Sequence, residues 1–524
     1  MIGGGRHARR WLLLALPLVL ALLIYHPYRA LPLDIWDYRE FLPILQKSTD
    51  GWHNLASLIG YYARHGRMNL LFYVTIVVEY QWFGVAAIGW QWLRVGWMAF
   101  DVVLLGMICR RLGLRTTAGI AAAAVLVTAT PAVRAWVQMM AEPQALAAIM
   151  GATFIALHYR ATDRWQWPAF WITGLIAIAF LSKEVVGSLG AVVLLVAVVW
   201  HRDTTERWIT RRHVVLASAL ALVVVGEVVL LALVRRHPDA TGYGMAYGSG
   251  AISMSRFGAN LVAIVLPVRP GADASLGLLY PANVVALLVM VLGLTTRLRR
   301  RPVDAALATA IALGVLPALL GAAVYLPWPK FDSFYGLPFF AGPLLLYAAA
   351  LNELLSAPGV RRAFGMIAVV VVPLYAAVSA NRSVEAAGAS LRLNARLAHI
   401  AGDFGETDTL LVLSPPAGPR ALPVQAGELY DYGVALGWIQ TAKLDAMLAA
   451  PCNRFTPSTD VGAPRVVYAS YSYGCGRFPD PTLRIVSAYT WHDWHTFAAV
   501  HDTMTLDLAG GPVRDMVRPS GKPK

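Results

Sequence analysis

A short acidic stretch follows the first apolar segment of the chain. Four ionisable side chains fall within seven positions there, namely Asp34, Asp37, Arg39 and Glu40. Only 14% of all residues are charged, so this density is unusual for the sequence. Carboxylates do not anchor a helix at a membrane boundary as lysine and arginine do. A carboxylate there can act as a general base on a hydroxyl group, and the stretch is therefore a candidate for chemistry.

Three further ionisable residues, Glu142, Lys183 and Glu184, lie at the ends of predicted helices. Glu142 opens a predicted helix, where the helix dipole alone favours a carboxylate. Lys183 and Glu184 lie between two predicted helices, and the simplest interpretation is a turn with exposed charges. The connection is very short, however, and a lysine beside a helix N-terminus suits a phosphate or pyrophosphate group. Together these groups indicate a substrate with a polar head and a lipid tail.

The composition predicts a polytopic membrane protein. Hydrophobic residues make up 57% of the 524 positions, against about 45–50% in a soluble domain. The mean hydropathy is +0.56, and the apolar residues come in runs long enough to cross roughly 30 Å of hydrocarbon. The net charge of +14 comes mostly from short loops between these runs, so it reports topology and not a nucleic-acid partner.

Eleven apolar runs predict a mainly α-helical bundle of about eleven transmembrane helices. They cover 11–25, 88–109, 116–133, 142–158, 167–182, 184–200, 213–234, 280–296, 303–325, 335–353 and 362–380. Arginine clusters fall in every second loop, which predicts a cytoplasmic N-terminus and a C-terminus on the opposite face. No small-residue cleavage site follows the first run, so it is predicted to stay in place. The outer stretch at about 26–87 is expected to hold interfacial helices. The outer stretch at about 235–280 is expected to be a flexible lid loop.

The sequence changes character after residue 380. We expect a transmembrane domain over 1–380 and a small α+β soluble domain over 381–524, with strands at 410–413 and 465–469 and a helix at 390–400. Cys452 and Cys475 lie in this domain without CxxC spacing. A disulfide between them is the natural interpretation if the domain lies outside the cytoplasm.

Three ionisable residues fall inside predicted membrane helices, where each costs at least about 2.5–3.5 kcal/mol. Arg94 and Asp101 share one helix face, which favours a structural ion pair or contacts with neighbouring helices. Glu227 has no partner nearby in the sequence. These three are the midplane candidates for a transporter or flippase, although no repeat of the kind transporters use is evident.

In the order of these features the chain resembles the GT-C superfamily of multispanning glycosyltransferases. The resemblance covers about residues 10–380. Its aminoarabinose transferases, protein O-mannosyltransferases and rhizobial galacturonosyltransferases are the most similar branches. The resemblance is carried by Asp37-Tyr38, Gly66-Arg67-Met68-Asn69-Leu70-Leu71, Trp82-Phe83-Gly84, Ala141-Glu142-Pro143-Gln144-Ala145-Leu146 and Leu181-Ser182-Lys183-Glu184.

The resemblance implies an inverting transfer of a sugar from a polyprenyl-phosphate donor to an envelope lipid, glycan or protein. The reaction would take place on the periplasmic face of a bacterial inner membrane, among membrane lipids and without nucleic acid. Asp37 would be the catalytic residue, with Asp34 as the second choice. Lys183 would hold the carrier phosphate and Glu142 would be a second acid. The remaining substrate-binding candidates are Glu184, Glu40 and Arg39.

Two questions stay open at this stage. The resemblance requires no cofactor, but it leaves room for a divalent metal ion, with Asp37 and Glu142 as its ligands if one binds. Besides the transporter, the alternative activity is a polymerising transferase similar to the O-antigen ligases. Such an enzyme is expected to carry an outer loop rich in arginine and histidine, and His237 is the one residue here that favours it.

Overall fold

The structure is a computed structural model of the whole chain. It describes residues 15–25, 41–64, 66–137, 141–158, 165–201, 211–235, 252–268, 280–300, 304–327, 331 and 333–401, and four strands between 408 and 488.

Each of the eleven predicted apolar helices has a counterpart among the described residues. The helices are α1 (Ala15–Tyr25), α2 (Gly51–Arg64), α3 (Leu70–Phe83), α4 (Ala87–Arg111), α5 (Thr116–Thr128), α6 (Thr130–Val137), α7 (Glu142–His158), α8 (Gln166–Ser182), α9 (Gly190–His201), α10 (Arg211–Arg235), α11 (Met254–Val265), α12 (Pro281–Arg300), α13 (Ala305–Val324), α14 (Leu337–Ser356) and α15 (Val360–Ala401).

The chain is a multi-pass membrane protein. In the part that the structure describes, six helices are long and apolar enough to cross a membrane, namely α4, α10, α12, α13, α14 and the first half of α15. The other apolar helices of that part have 10–17 residues, and crossing the hydrocarbon takes about 20. The prediction of a polytopic helix bundle is therefore confirmed.

Two predicted helices are interrupted. The run at 116–133 divides at Ala129, whose backbone is extended (φ −68°, ψ 147°). Pro131 explains the break, because without an N–H group it cannot donate to the Val127 carbonyl oxygen, as the next turn of α5 would require. The run at 184–200 begins with a 3₁₀ turn over Glu184–Leu189, and its α-helix starts at Gly190.

Helix α14 forms the centre of the bundle. Residues 334–351 are all buried by the surrounding helices, and only the last turn of α14 is partly exposed. Small residues allow the close approach that this position requires. A Cβ atom on Gly342 would collide with the Leu313 carbonyl oxygen on α13, and one on Gly293 of α12 would collide with the backbone of Ala350.

Polar contacts between helix ends show which of them lie at the same end of the bundle. The Arg111 Nε atom donates to the Leu157 carbonyl oxygen at 3.0 Å, which joins the ends of α4 and α7. The Arg115 N–H donates to Asn352 Oδ1 near the end of α14 at 3.0 Å. The starts of α7 and α14 must therefore lie together at the opposite end of the bundle. This alternation agrees with the predicted loop order, although it does not identify the cytoplasmic side.

The C-terminal part contains a four-stranded parallel sheet in the order β2-β1-β3-β4. Its strands are β1 (Asp408–Ser414), β2 (Leu444–Pro451), β3 (Val466–Ser470) and β4 (Arg484–Ala488). β1 and β3 correspond to the two predicted strands. β2 was not predicted because it contains no β-branched or aromatic residue, which are the types that favour strands. Helix α15 continues past residue 380, and the predicted domain boundary there stays a prediction.

Candidate functional site

The centre of the candidate site is an ion pair between two helices. Lys183 Nζ lies 2.8 Å from Glu142 Oε1. Both residues are buried, with 9% of Lys183 and 1% of Glu142 exposed. Removing two charges from water is costly unless they compensate each other. The pairing therefore explains how the bundle accepts both groups, and it brings together two residues that the sequence placed in one predicted site.

Local structure positions each partner. Glu142 is the first residue of α7, as the sequence predicted. Lys183 follows the last residue of α8 in an extended conformation (φ −150°, ψ 110°), and its N–H donates to the Ala179 carbonyl oxygen at 2.9 Å. This abrupt change from helix to extended backbone directs the side chain toward α7. Lys183 is thus not part of an exposed turn, and a 3₁₀ turn follows it instead of the expected α-helix N-terminus.

An aromatic ring covers another side of the lysine. The ammonium lies 4.7 Å from the ring centroid of Tyr335, within the range of a cation–π interaction. Tyr335 is on the 3₁₀ turn Ser333–Gly336 that leads into α14. Sequence analysis did not select this residue, because an aromatic at a helix entrance is common in membrane proteins and no local pattern links it to Lys183.

Glu184 does not take part in the Lys183–Glu142 pair. It lies near another carboxylate, that of Glu227. Its charge acts on Glu227 of α10, which is 8% exposed. Gly187 on the intervening 3₁₀ turn makes this packing possible, since a Cβ atom there would collide with Glu227 Oε2. Glu184 and Glu227 therefore belong to a second acidic location near the Lys183–Glu142 pair.

A narrow cleft, with room for about one water molecule, opens beside Pro143 and Gln144, which follow Glu142 in α7. Its lining consists of Phe72, Glu79, Arg94, Trp97, Trp136, Pro143 and Gln144. Arg94 NH2 lies 3.8 Å from Glu79 Oε2, which links α4 to α3. The buried Trp136 Nε1 and Gln144 Oε1 make no hydrogen bond within the described part of the chain. The cleft thus has an unbonded donor and an unbonded acceptor near the start of α7, among the described residues.

Arg94 and Asp101 are not paired with each other in the structure. The carboxylate that Arg94 contacts is Glu79 on α3. Neither carboxylate oxygen of Asp101 makes a hydrogen bond to a residue that the structure describes, although the side chain is fully buried. A spacing of seven residues shows only that Arg94 and Asp101 lie on the same side of α4. Which side chain each of them contacts depends on the helix that packs against that side.

Several predicted residues fall outside the described ranges. They are the acidic stretch with Asp34, Asp37, Arg39 and Glu40, and the two cysteines Cys452 and Cys475. Their roles and the disulfide stay predictions.

The described residues do not supply a metal site. No group of three or more His, Cys, Asp and Glu side chains in that part of the chain is arranged to hold an ion. The Lys183 ammonium also occupies the position beside Glu142 Oε1 that a cation would need. Asp37, the other suggested ligand, lies outside the described residues.

Comparison with known proteins gives only structural neighbours. No protein-family model matches the sequence, and no curated protein does either. A crystal structure of ArnT from Cupriavidus metallidurans bound to undecaprenyl phosphate is 14% identical, with a TM-score of 0.47 over 83% of this chain and 89% of that one. The mycobacterial arabinofuranosyltransferase AftD is 15% identical, with a TM-score of 0.46 over 78% of this chain and 30% of its own.

A third neighbour is the oligosaccharyltransferase AglB from Archaeoglobus fulgidus, solved with an inhibitory peptide and a dolichol-phosphate. It is 11% identical, with a TM-score of 0.46 over 86% of this chain and 65% of that one. These neighbours are GT-C glycosyltransferases, the superfamily that the sequence resembles. With TM-scores below 0.5 and identities of 11–15%, the likeness by itself assigns neither an activity nor a substrate to this chain.

Proposed function

We propose that this protein is a membrane glycosyltransferase that transfers a sugar from a polyprenyl-phosphate donor to an envelope acceptor. The observation that supports the proposal most directly is the Glu142–Lys183 ion pair at one end of the helix bundle. A nearly buried ammonium at that position can stabilise negative charge on a leaving phosphate. In the eleven-helix topology predicted from the sequence, the acidic stretch is expected on the same side of the membrane as this pair.

The proposed reaction is a single displacement at the anomeric carbon of the donor sugar. Asp37 accepts the proton of the acceptor hydroxyl as its oxygen forms a bond to the anomeric carbon. The bond between that carbon and the phosphate oxygen breaks, and the polyprenyl phosphate leaves with the electron pair. Attack opposite the leaving group inverts the configuration. Lys183 offsets the charge on the departing phosphate.

The adjacent cleft has room for about one water molecule, and it offers hydrogen-bonding groups to the substrate. Trp136 Nε1 can donate a hydrogen bond and Gln144 Oε1 can accept one, and both residues line this cleft. A hydroxyl group can satisfy both, since it is a donor and an acceptor.

The proposal is tested by substituting the acidic stretch in the reconstituted protein. Asp37→Asn should abolish sugar transfer from a polyprenyl-phosphate donor, whereas Asp34→Asn should retain it. Loss of activity in Asp34→Asn alone would assign the base to Asp34. Full activity in both variants, or none in the wild type with any polyprenyl-phosphate sugar, would argue against the proposal.

We also propose the bacterial inner membrane as the location, with a cytoplasmic N-terminus and a periplasmic C-terminus. The arginines in the last turns of α4 and α12 support this orientation under the positive-inside rule. Alkaline phosphatase fused after residue 401 should be active, and fused after Arg111 it should be inactive. The reverse pattern would contradict the orientation.

A further inference from the structure

The Tyr335 ring is in direct contact with the charge that the proposed reaction uses. Its centroid lies 4.7 Å from Lys183 Nζ, and the tyrosine is only 5% exposed. A cation over an aromatic face is attracted by the negative centre of the ring, and the attraction grows when water is excluded. Burial of both partners therefore makes this contact a strong one of its type.

Neighbouring rings hold Tyr335 in place. The Tyr325 ring stacks on it with a centroid distance of 5.3 Å and an interplanar angle of 13°. Phe334 packs on it at 4.3 Å, and Phe331 meets it edge-on at 6.4 Å. The turn that carries Tyr335 leads directly into the buried first turns of helix α14. The ring is therefore rigidly positioned before any ligand arrives.

The ring and the carboxylate have different electrostatic effects on the lysine. Glu142 neutralises the ammonium, so a phosphate would meet a pair without net charge. A second carboxylate would repel a phosphate outright. The aromatic face instead stabilises the cation without adding net negative charge. It also uses none of the three ammonium N–H donors.

We propose that Tyr335 is a positioning residue, which holds the Lys183 ammonium so that its remaining donors meet the phosphate of a polyprenyl-phosphate ligand. This inference rests on the proposed function, because it takes the phosphate to bind at Lys183. Tyr335 acts through Lys183 and sets the affinity for the phosphate.

Graded fluorination of the ring tests this role in the full-length protein in nanodiscs. Phenylalanine and its 4-fluoro, 3,5-difluoro and 3,4,5-trifluoro derivatives are incorporated at position 335. Fluorine removes negative charge from the ring face while the ring changes little in size. The probe is geranylgeranyl phosphate, and the uncharged geranylgeraniol is the ligand control. The same series at Phe339 is the matched control, since that ring is fully buried and packs edge-on against Tyr325.

We expect the Kd for geranylgeranyl phosphate to rise with each fluorine at position 335, by about 3- to 30-fold across the series. The Kd should stay level across the Phe339 series. A level Kd at position 335, or an equal rise at both positions, would overturn the positioning role. If the wild type bound the phosphate no better than the alcohol, the proposed phosphate site at Lys183 would fail first, and this inference with it.

Discussion

Lys183 and Glu142 form a close ion pair across two helices, with 2.8 Å between Nζ and Oε1. The pair joins the end of α8 to the start of α7 at the bundle end where α14 also begins. It is the structural centre of the proposed site, and its burial makes it important for stability as well as for function. The effects on stability and activity can be separated experimentally.

Removing one partner of this pair should destabilise the protein more than removing both. Lys183→Met leaves the Glu142 charge buried and unpaired, which should lower the free energy of unfolding by about 3–5 kcal/mol. The double variant with Glu142→Gln should recover most of that loss and still lack transfer activity. Reversible unfolding in mixed micelles measures both effects. Recovery of activity in the double variant would show that the pair has a structural role only.

The Tyr25 hydroxyl supplies a hydrogen bond that the Val127 carbonyl oxygen cannot receive from Pro131. The Val127 carbonyl oxygen would normally accept from the N–H of residue 131, and that residue is Pro131. The Tyr25 hydroxyl donates to this oxygen at 2.9 Å instead. Tyr25→Phe should therefore cost about 1–3 kcal/mol, since it leaves a buried carbonyl unsatisfied.

Tyr347→Phe is the matched control for that substitution. The Tyr347 hydroxyl donates to the Ala368 carbonyl oxygen at a longer 3.3 Å. Residue 372, four positions beyond Ala368 in α15, is Val372 and keeps its own N–H. The control should therefore lose less stability in the same unfolding assay. Equal losses in the two variants would rule out compensation for the proline.

Gly187 should be required by the carboxylate packed against it. Gly187→Ala places a methyl group on Glu227 Oε2, and we expect a loss of about 1–3 kcal/mol. Adding Glu227→Ala should relieve the collision and restore much of the stability. Gly226→Ala, whose Cβ would meet nothing within 4 Å, should be neutral or stabilising. A neutral Gly187→Ala variant would show that the turn can move away from α10.

Asp304 should make stability depend on acidic pH. Partial burial favours its neutral form, but the Leu307 N–H and the Arg297 guanidinium outweigh this and hold its pKa below the ordinary 3.8. A carboxylate with a lowered folded-state pKa stabilises the fold above pH 3.8, and this contribution disappears as the pH falls through the folded-state pKa.

The measurement compares wild type with Asp304→Asn between about pH 7 and pH 3. Wild type should be the more stable at neutral pH, and the difference should shrink as the pH falls below about 4. Glu353→Gln, which removes the more distant partner of Arg297 (3.8 Å), should have a smaller effect at neutral pH. A difference between wild type and Asp304→Asn that grew at low pH would contradict the lowered pKa.

The sequence alone was sufficient to locate the membrane helices and two residues of the candidate site, Glu142 and Lys183. A helix that crosses hydrocarbon needs a long run of apolar residues and satisfied backbone groups. Such a run can be recognised directly in the amino-acid sequence. Glu142 was found because a carboxylate that opens a helix has a local signature. The breaks at Ala129 and before Gly190 were missed, because an apolar run hides changes in backbone geometry.

Only the tertiary structure determined which side chains meet. Arg94 contacts Glu79 on α3, although Asp101 is the carboxylate on its own helix face. Tyr335 reaches Lys183 from the entrance of α14, far away in the sequence. Helix periodicity indicates which face a residue occupies, but the neighbour of that face depends on how the helices pack. Contacts between distant helices therefore leave no local pattern in the sequence.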